Sequence, residues 1–160
     1  MNYMPKLILI HGPIASGKST LSRALLKKLK GFAFVDRAYM KRMLKPIGKP
    51  DAKAITNKAV KLIVEELMKL GKDILVQEQS RTSLKTVINK YGKNYKIFSF
   101  FLKCDLKKSI KRAELREKTT TSKESITAMY ERIKPEPKDI ILDTGKNSIN
   151  ECVNIIIKEF

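Results

Sequence analysis

The chain has 160 residues, 42% of them hydrophobic, which suits one domain with a substantial core and excludes compositional disorder. No apolar stretch approaches a membrane span, and a strand starting at Lys6 leaves no room for a signal peptide, so a cytoplasmic protein is expected. Lys and Arg number 34 against 16 Asp and Glu, a formal charge of +18; a heat-adapted surface would raise its acids alongside, so a polyanionic partner (RNA or DNA) and a basic enzyme with solvated lysine faces are the two readings left.

Apolar, β-branched or aromatic runs recur at residues 6–10, 32–36, 73–77, 96–103 and 139–143, with helical periodicity between them. Strands that are apolar throughout and separated by helices predict a parallel sheet covered on both faces. The five βα units fill residues 1–160 as a single domain. In such a sheet ligands gather at the carboxyl ends of the strands.

The first strand runs directly into Gly12-Pro13-Ile14-Ala15-Ser16-Gly17-Lys18-Ser19. This is G-x-x-x-x-G-K-[ST], the Walker A phosphate loop, set between a strand and a helix marked by Leu21, Ala24, Leu25 and Leu29. Gly12 and Gly17 let the backbone wrap so that successive N–H groups face nucleotide phosphates. Lys18 is expected on the β- and γ-phosphates and the Ser19 hydroxyl on Mg²⁺, with residues 12 to Thr20 forming the cradle and the helix start adding its positive end. His11, just before the loop, is expected to pack or hydrogen-bond beside it.

The second strand ends at Asp36-Arg37. Asp36 is a candidate to deprotonate an acceptor hydroxyl, or else it caps the helix carrying Met40, Met43 and Leu44. A long helix is predicted after Pro50-Asp51, with Ile55, Ala59, Leu62, Ile63, Leu67 and Leu70 on its apolar face and Gly71 as its stop. The third strand runs into Gln77-Glu78-Gln79-Ser80-Arg81. Glu78 is a candidate Mg²⁺ ligand, directly or through water, and Arg81 a contact for an anionic substrate group; an exposed loop with Glu78 paired to a lysine is the competing reading. Ser83 is expected to cap a helix over 84–90.

Asp105 is expected to cap a basic helix over 106 to about 118, within a lid spanning about 105–123. Arg112 and Arg116 are four apart, hence on one face, where two guanidiniums could close over a triphosphate; Glu114 and Glu117 on the same helix leave a solvated, ion-paired face as the alternative. The last strand ends at Asp143-Thr144-Gly145, where a loop with Thr144 could pack on the adenine base; Asp143 as an ordinary strand-end cap is the competing reading. Ser148 and Glu151 form a capping box for the final helix. The tyrosines and phenylalanines of 91–101 read as core. Cys104 and Cys152 have no C-x-x-C or histidine neighbours, so reduced thiols are expected and zinc is not.

On the phosphate loop, the strand-end acids and the two lid arginines, the chain resembles the small P-loop kinases, most nearly the ATP-binding group of polynucleotide 5′-hydroxyl kinases, zeta toxins, gluconate kinases and chloramphenicol phosphotransferase. The resemblance implies an α/β class: a three-layer P-loop NTPase fold with a five-stranded parallel sheet and a short helical lid. It also implies an ATP- and Mg²⁺-dependent phosphotransferase with Lys18, Asp36, Arg112 and Arg116 catalytic, and Asp36, Arg37, Glu78 and Arg81 toward the acceptor. In polynucleotide-kinase-like proteins an Arg-Asp pair follows the second strand. If Arg37 matches that arginine, Ala38 falls at the acid's position and Asp36 serves from a shifted one. Adenylate kinases carry Asp-Gly-x-Pro-Arg after the third strand; Glu78 to Thr82 is similar in its acid and Arg-Thr ending, one residue shorter. The expected acceptor is a hydroxyl or phosphate, a polynucleotide 5′-hydroxyl among them. A nucleotide-dependent nucleic-acid-binding or regulatory ATPase is the alternative.

Overall fold

Alternation along the first strand organises the whole molecule. The computed structural model describes residues 3–115 and 121–160. In β1 (Lys6–His11), Leu7 and Leu9 join one buried cluster with Val35, Ile74 and Val76. Ile8 and Ile10 turn to the other face and join Leu75, Phe100 and Leu102. Side chains of a strand point alternately to opposite faces, so a strand apolar at every position needs cover on both.

That cover is helical. α1 (Lys18–Leu26) and α7 (Ile149–Lys158) lie over the Ile8 face, contributing Leu21, Leu25, Val153 and Ile156. α3 (Lys49–Lys69) and α4 (Lys85–Tyr91) cover the Leu7 face through Val60, Val64, Met68 and Val87. The remaining strands are β2 (Ala33–Asp36), β3 (Ile74–Gln77), β4 (Lys96–Lys103) and β5 (Ile140–Asp143). All pairings are parallel, in the order β2-β3-β1-β4-β5. The fold is thus the predicted α/β three-layer arrangement. β1 is central, flanked by β3 and β4; the chain fills one side of it with β2 and β3 and then crosses to the other side for β4 and β5. The crevice at the carboxyl end of β1 is therefore where a ligand is expected. Phe100, fully buried mid-sheet, anchors the core; truncation to Ala would cost about 3–5 kcal/mol.

Four expectations need correction. The buried stripe of α3 is Ala52, Thr56, Val60, Val64 and Met68, whereas Ile55, Leu62 and Leu70 are exposed. Both stripes have helical spacing. The buried one includes a threonine because its hydroxyl donates to the Ala52 carbonyl at 2.6 Å, which satisfies it in the core. The basic helix α5 (Leu106–Glu114) is capped by Asp105 as expected but closes at Glu114; Arg116 lies outside the described residues. A further helix, α6 (Lys123–Arg132), capped by Ser122, follows where no helix was expected. Ser80, rather than Ser83, caps a 3-10 turn, Arg81–Leu84, that leads into α4. The Ser148–Glu151 capping box of α7 forms as expected.

Candidate active site

The loop between β1 and α1 is wound through positive φ at Gly12 and Gly17, and at Ala15 as well. Gly12 has φ of +141°, and a β-carbon there would meet the Leu102 carbonyl oxygen at 2.7 Å. Gly17 has φ of +98° and precedes α1, whose N-terminus has no side-chain cap. Unpartnered N–H groups at a helix start favour an anion. Lys18 opens this helix and donates to the carbonyls of Gly12 at 2.8 Å and Pro13 at 2.6 Å, so its ammonium is drawn across the loop. Ser16 donates to Pro13 O at 2.8 Å and locks the turn. A positive helix end, an ammonium and a tightly wound backbone fit a nucleotide's phosphates.

Behind the loop, on the β4–β5 side, the polar groups are tied together. The Thr144 hydroxyl donates to Ser16 O at 2.7 Å, and Arg112 donates to Thr144 O at 2.8 Å. Thr144 also lies 3.3 Å from an Arg112 Nη1, which reaches Cys104 Sγ at the same distance. Arg112, Thr144 and Ser16 thus come together behind the loop rather than in the open cleft. α5 and α6 pack onto the loop itself: Ile14 and Ala15 join Ala113, Ile110, Ile126 and Tyr130. The Ile14 N–H donates to Met129 Sδ at 3.3 Å.

In front, on the β2–β3 side, a cleft of about 350 Å³ opens. Gln77 and Ser19 line it and Asp36 does not; Gln77 connects Ser19 and Asp36, with Nε2 3.1 Å from both Ser19 Oγ and Asp36 Oδ1, and Ile10, Gln77 and Asp36 lie side by side across the sheet. Gln77 Oε1 is buried without a partner among the described residues. Asp36 does cap α2 (Arg37–Met43): its Oδ1 accepts from the N–H groups of Ala38 and Tyr39. The same carboxylate reaches the cleft through Gln77. Helix capping and a place beside Ser19 are therefore compatible.

Glu78 and Arg37 both line the cleft and are bound to each other, with Arg37 Nε 2.9 Å from Glu78 Oε1. That oxygen also accepts from the Gln79 N–H at 2.8 Å, while Arg37 Nη2 donates to Asn57 at 2.7 Å. Burial pushes the Glu78 carboxyl upward, against the opposing pull of the Gln79 N–H, Arg37, Ser83 and Lys18. Among the described residues no cluster of three or more His, Cys, Asp or Glu could hold a metal by itself. A magnesium ion that keeps most of its waters and shares phosphate oxygens needs only one or two protein ligands. Ser19 Oγ beside the unpartnered Gln77 Oε1, with Asp36 and Glu78 close by, fits such an ion.

Arg81 is placed elsewhere. It does not line the cleft; its Nη1 lies 3.8 Å from Asp139 Oδ1. Asp139 also receives the Ser99 hydroxyl at 2.6 Å and the Glu136 N–H at 2.6 Å, and its Oδ1 is 3.0 Å from His11 Nε2. His11 is 1% exposed and stands edge-on to Phe101. Burial pushes its pKa down, against the upward pull of Asp139. Sequence reasoning missed two further features. Gln77, at a strand end, is the residue that touches Ser19. The cleft's far wall consists of Lys41, Arg42, Lys45 and Lys49; the available signal was a run of cations without an acid over residues 37–50.

Comparisons agree with this architecture. No curated protein matches the sequence. Among solved structures, a proposed kinase from Chloroflexus aurantiacus superposes with a TM-score of 0.78 at 18% identity, over 98% of this chain and 96% of that one. The APS kinase CysC of Mycobacterium tuberculosis, solved with AMPPNP and APS, gives 0.69 at 19% identity over 98% of each chain. A chain of the Pnkp1/Rnl/Hen1 RNA repair complex gives 0.67 at 21% identity, over 92% of this chain and 51% of that one, so here the likeness spans about half of the larger protein. At these identities the likeness is one of fold. The AAA domain family model matches residues 8–138, from β1 through the phosphate loop to the approach to β5. With its glycine-wound loop at the carboxyl end of a central parallel strand, the chain belongs to the AAA domain family of P-loop NTPases and has the fold of the small P-loop kinases.

Proposed function

We propose that the protein is an ATP- and Mg²⁺-dependent phosphotransferase that moves the γ-phosphoryl of ATP to a hydroxyl or phosphate acceptor. The observation that carries this reading is the convergence of Lys18, Ser19 and Gln77 on one edge of an open cleft. Phosphoryl transfer asks a protein mainly for positioning and for charge stabilisation. Residues 12–20 hold the donor's phosphates, Lys18 neutralises charge on the group in flight, and Thr144 with Arg112 steadies the loop from behind. Arg116 is assigned to the lid by its spacing from Arg112. Bound Mg²⁺ would supply further charge neutralisation, held by Ser19 with Gln77 or Glu78. Asp36 orients or deprotonates the acceptor from its position beside Gln77, and Arg37 is the arginine of the acceptor side. The structural neighbours described as kinases, one of them with AMPPNP bound, support the donor half of this reading.

The +18 charge and the resemblance to a chain of an RNA repair complex favour a polynucleotide 5′-hydroxyl among the acceptors. One observation favours a regulatory ATPase instead: Ala38 lines the cleft where the resemblance expects an acid. The Lys18→Ala variant tests the donor site. It should lose roughly 10²–10³-fold in transfer of label from γ-labelled ATP while its far-UV circular dichroism is unchanged. Full turnover in that variant would overturn the assignment.

A further inference from the structure

The cleft has one wall that the donor does not account for. Ala38, Lys41, Arg42, Lys45, Lys49 and Ala52 line it, contributed by α2, by a 3-10 turn, Lys45–Ile47, and by the start of α3, with Gly48 at φ +94° breaking the helix between the last two. Residues 37–50 contain five cations and no acid. Arg37 is bound by Glu78. The other four have no carboxylate in ion-pair contact among the described residues. Lys69 pairs with Glu65 and Glu66, Lys90 with Glu65, and Lys123 with Glu114, but acids are too few to meet most of the chain's cations; what sets these four apart is that they line one cleft. Partial burial, with Arg37, Lys49 and Lys53 nearby, pushes the Lys41 ammonium below its usual range. Like charges turned into a shared concavity repel, and a bound anion relieves that repulsion. The small Ala38 and Ala52 leave room for one.

The place of this wall determines which anion. It stands on the β2–β3 side with Ser19 and Gln77, whereas Thr144 and Arg112 lie across the loop on the β4–β5 side. Lys18 and the loop's N–H groups already serve the donor's phosphates. Four cations are in the range that balances one or two phosphate groups at about −1.5 to −2 each. Resting on the phosphotransferase reading, we propose that the acceptor carries phosphate of its own beside the reacting group, and that Lys41, Arg42, Lys45 and Lys49 hold it. A neutral sugar or alcohol acceptor would leave the wall without a function.

Transfer from γ-labelled ATP is compared for matched pairs at fixed ionic strength: a nucleoside against its 3′- and 5′-monophosphates, glycerol against glycerol 3-phosphate, and a short oligonucleotide. At least one phosphorylated member should exceed its neutral partner by about 100-fold in kcat/KM. Lys41→Ala and Arg42→Ala should each raise KM for that acceptor about tenfold while KM for ATP stays within about twofold. A lower KM for the oligonucleotide than for the mononucleotides would identify a polynucleotide source; the reverse would identify a small one. Equal use of neutral partners, or a rise in KM for ATP alone, overturns the proposal. If no acceptor is labelled, the phosphotransferase reading fails, and binding decides the wall separately. Phosphate-dependent binding of a nucleoside 3′,5′-bisphosphate that Lys41→Ala weakens would keep the wall as an anion site, and no such binding would remove it.

Discussion

The two sides of the phosphate loop are built on opposite terms. On the β4–β5 side Thr144, Ser16, Arg112 and Cys104 are bonded to one another, and Ile14 and Ala15 are packed under α5 and α6. On the β2–β3 side Gln77 keeps a buried oxygen without a partner among the described residues, and four cations face a cleft whose lining carboxylate, Glu78, is already bound to Arg37. A side satisfied before any ligand arrives fixes the geometry of the loop. A side left unsatisfied is where a ligand can add most, because each new contact replaces an unfavourable state. Preorganised support and unmatched charge thus divide the work of one loop.

That division can be broken from the satisfied side first. Gly12→Ala introduces a β-carbon 2.7 Å from Leu102 O at a φ of +141°. It should cost on the order of 1–3 kcal/mol of stability and abolish measurable ATP binding. Thermal unfolding and ATP titration check both, and a variant with unchanged Tm and affinity would show that the loop is not wound as described. Thr144→Val removes the hydroxyl that donates to Ser16 O while keeping its shape. About 1–3 kcal/mol of stability should go, with an ATP affinity loss of up to about tenfold and no change in acceptor KM. A shift in acceptor KM would mean that the two sides are not separable.

The smallest effect lies at the base of the loop. Burial lowers the folded-state pKa of His11, so between that value and the usual one near 6.5 the unfolded chain binds the extra proton. Stability contributed by neutral His11 is thus present above about pH 6.5 and is lost as pH falls toward the folded value, with a slope of at most about 1.4 kcal/mol per pH unit. Denaturant unfolding of the native chain and of His11→Gln between pH 7 and 5 should show this slope only in the former. Parallel curves for the two would refute the assignment.

Much of this was legible in the sequence, for physical reasons that also mark where it stopped. The central strands β1 and β3 could be read because burial on both faces leaves each an apolar run, and the others because they remain rich in apolar and aromatic residues even where an edge is partly exposed. The loop could be read because its backbone dictates residue types at fixed spacing. The working face of α3 could not be read from hydrophobicity, since Thr56 is buried with its hydroxyl bonded inside the helix while Leu62, at 60% exposure, is not part of the core. Arg81 was expected in the site because it follows a strand end. Its placement depends on Asp139, a partner distant in sequence that local pattern does not reveal. The cationic wall was present as a run of cations without an acid, but a proline and a glycine at 46 and 48 interrupt the helical pattern, so local pattern does not reveal that these side chains share one cleft.

The most direct measurement follows the labelled γ-phosphoryl of ATP in a single turnover with Mg²⁺ and the acceptor panel, the products being separated as labelled acceptor and free orthophosphate. Label on an acceptor, appearing faster than orthophosphate and lost in Lys18→Ala, is the result predicted for a donor site that faces an acceptor cleft. Label recovered only as orthophosphate, at a rate indifferent to every acceptor, would contradict it and make the chain an ATPase.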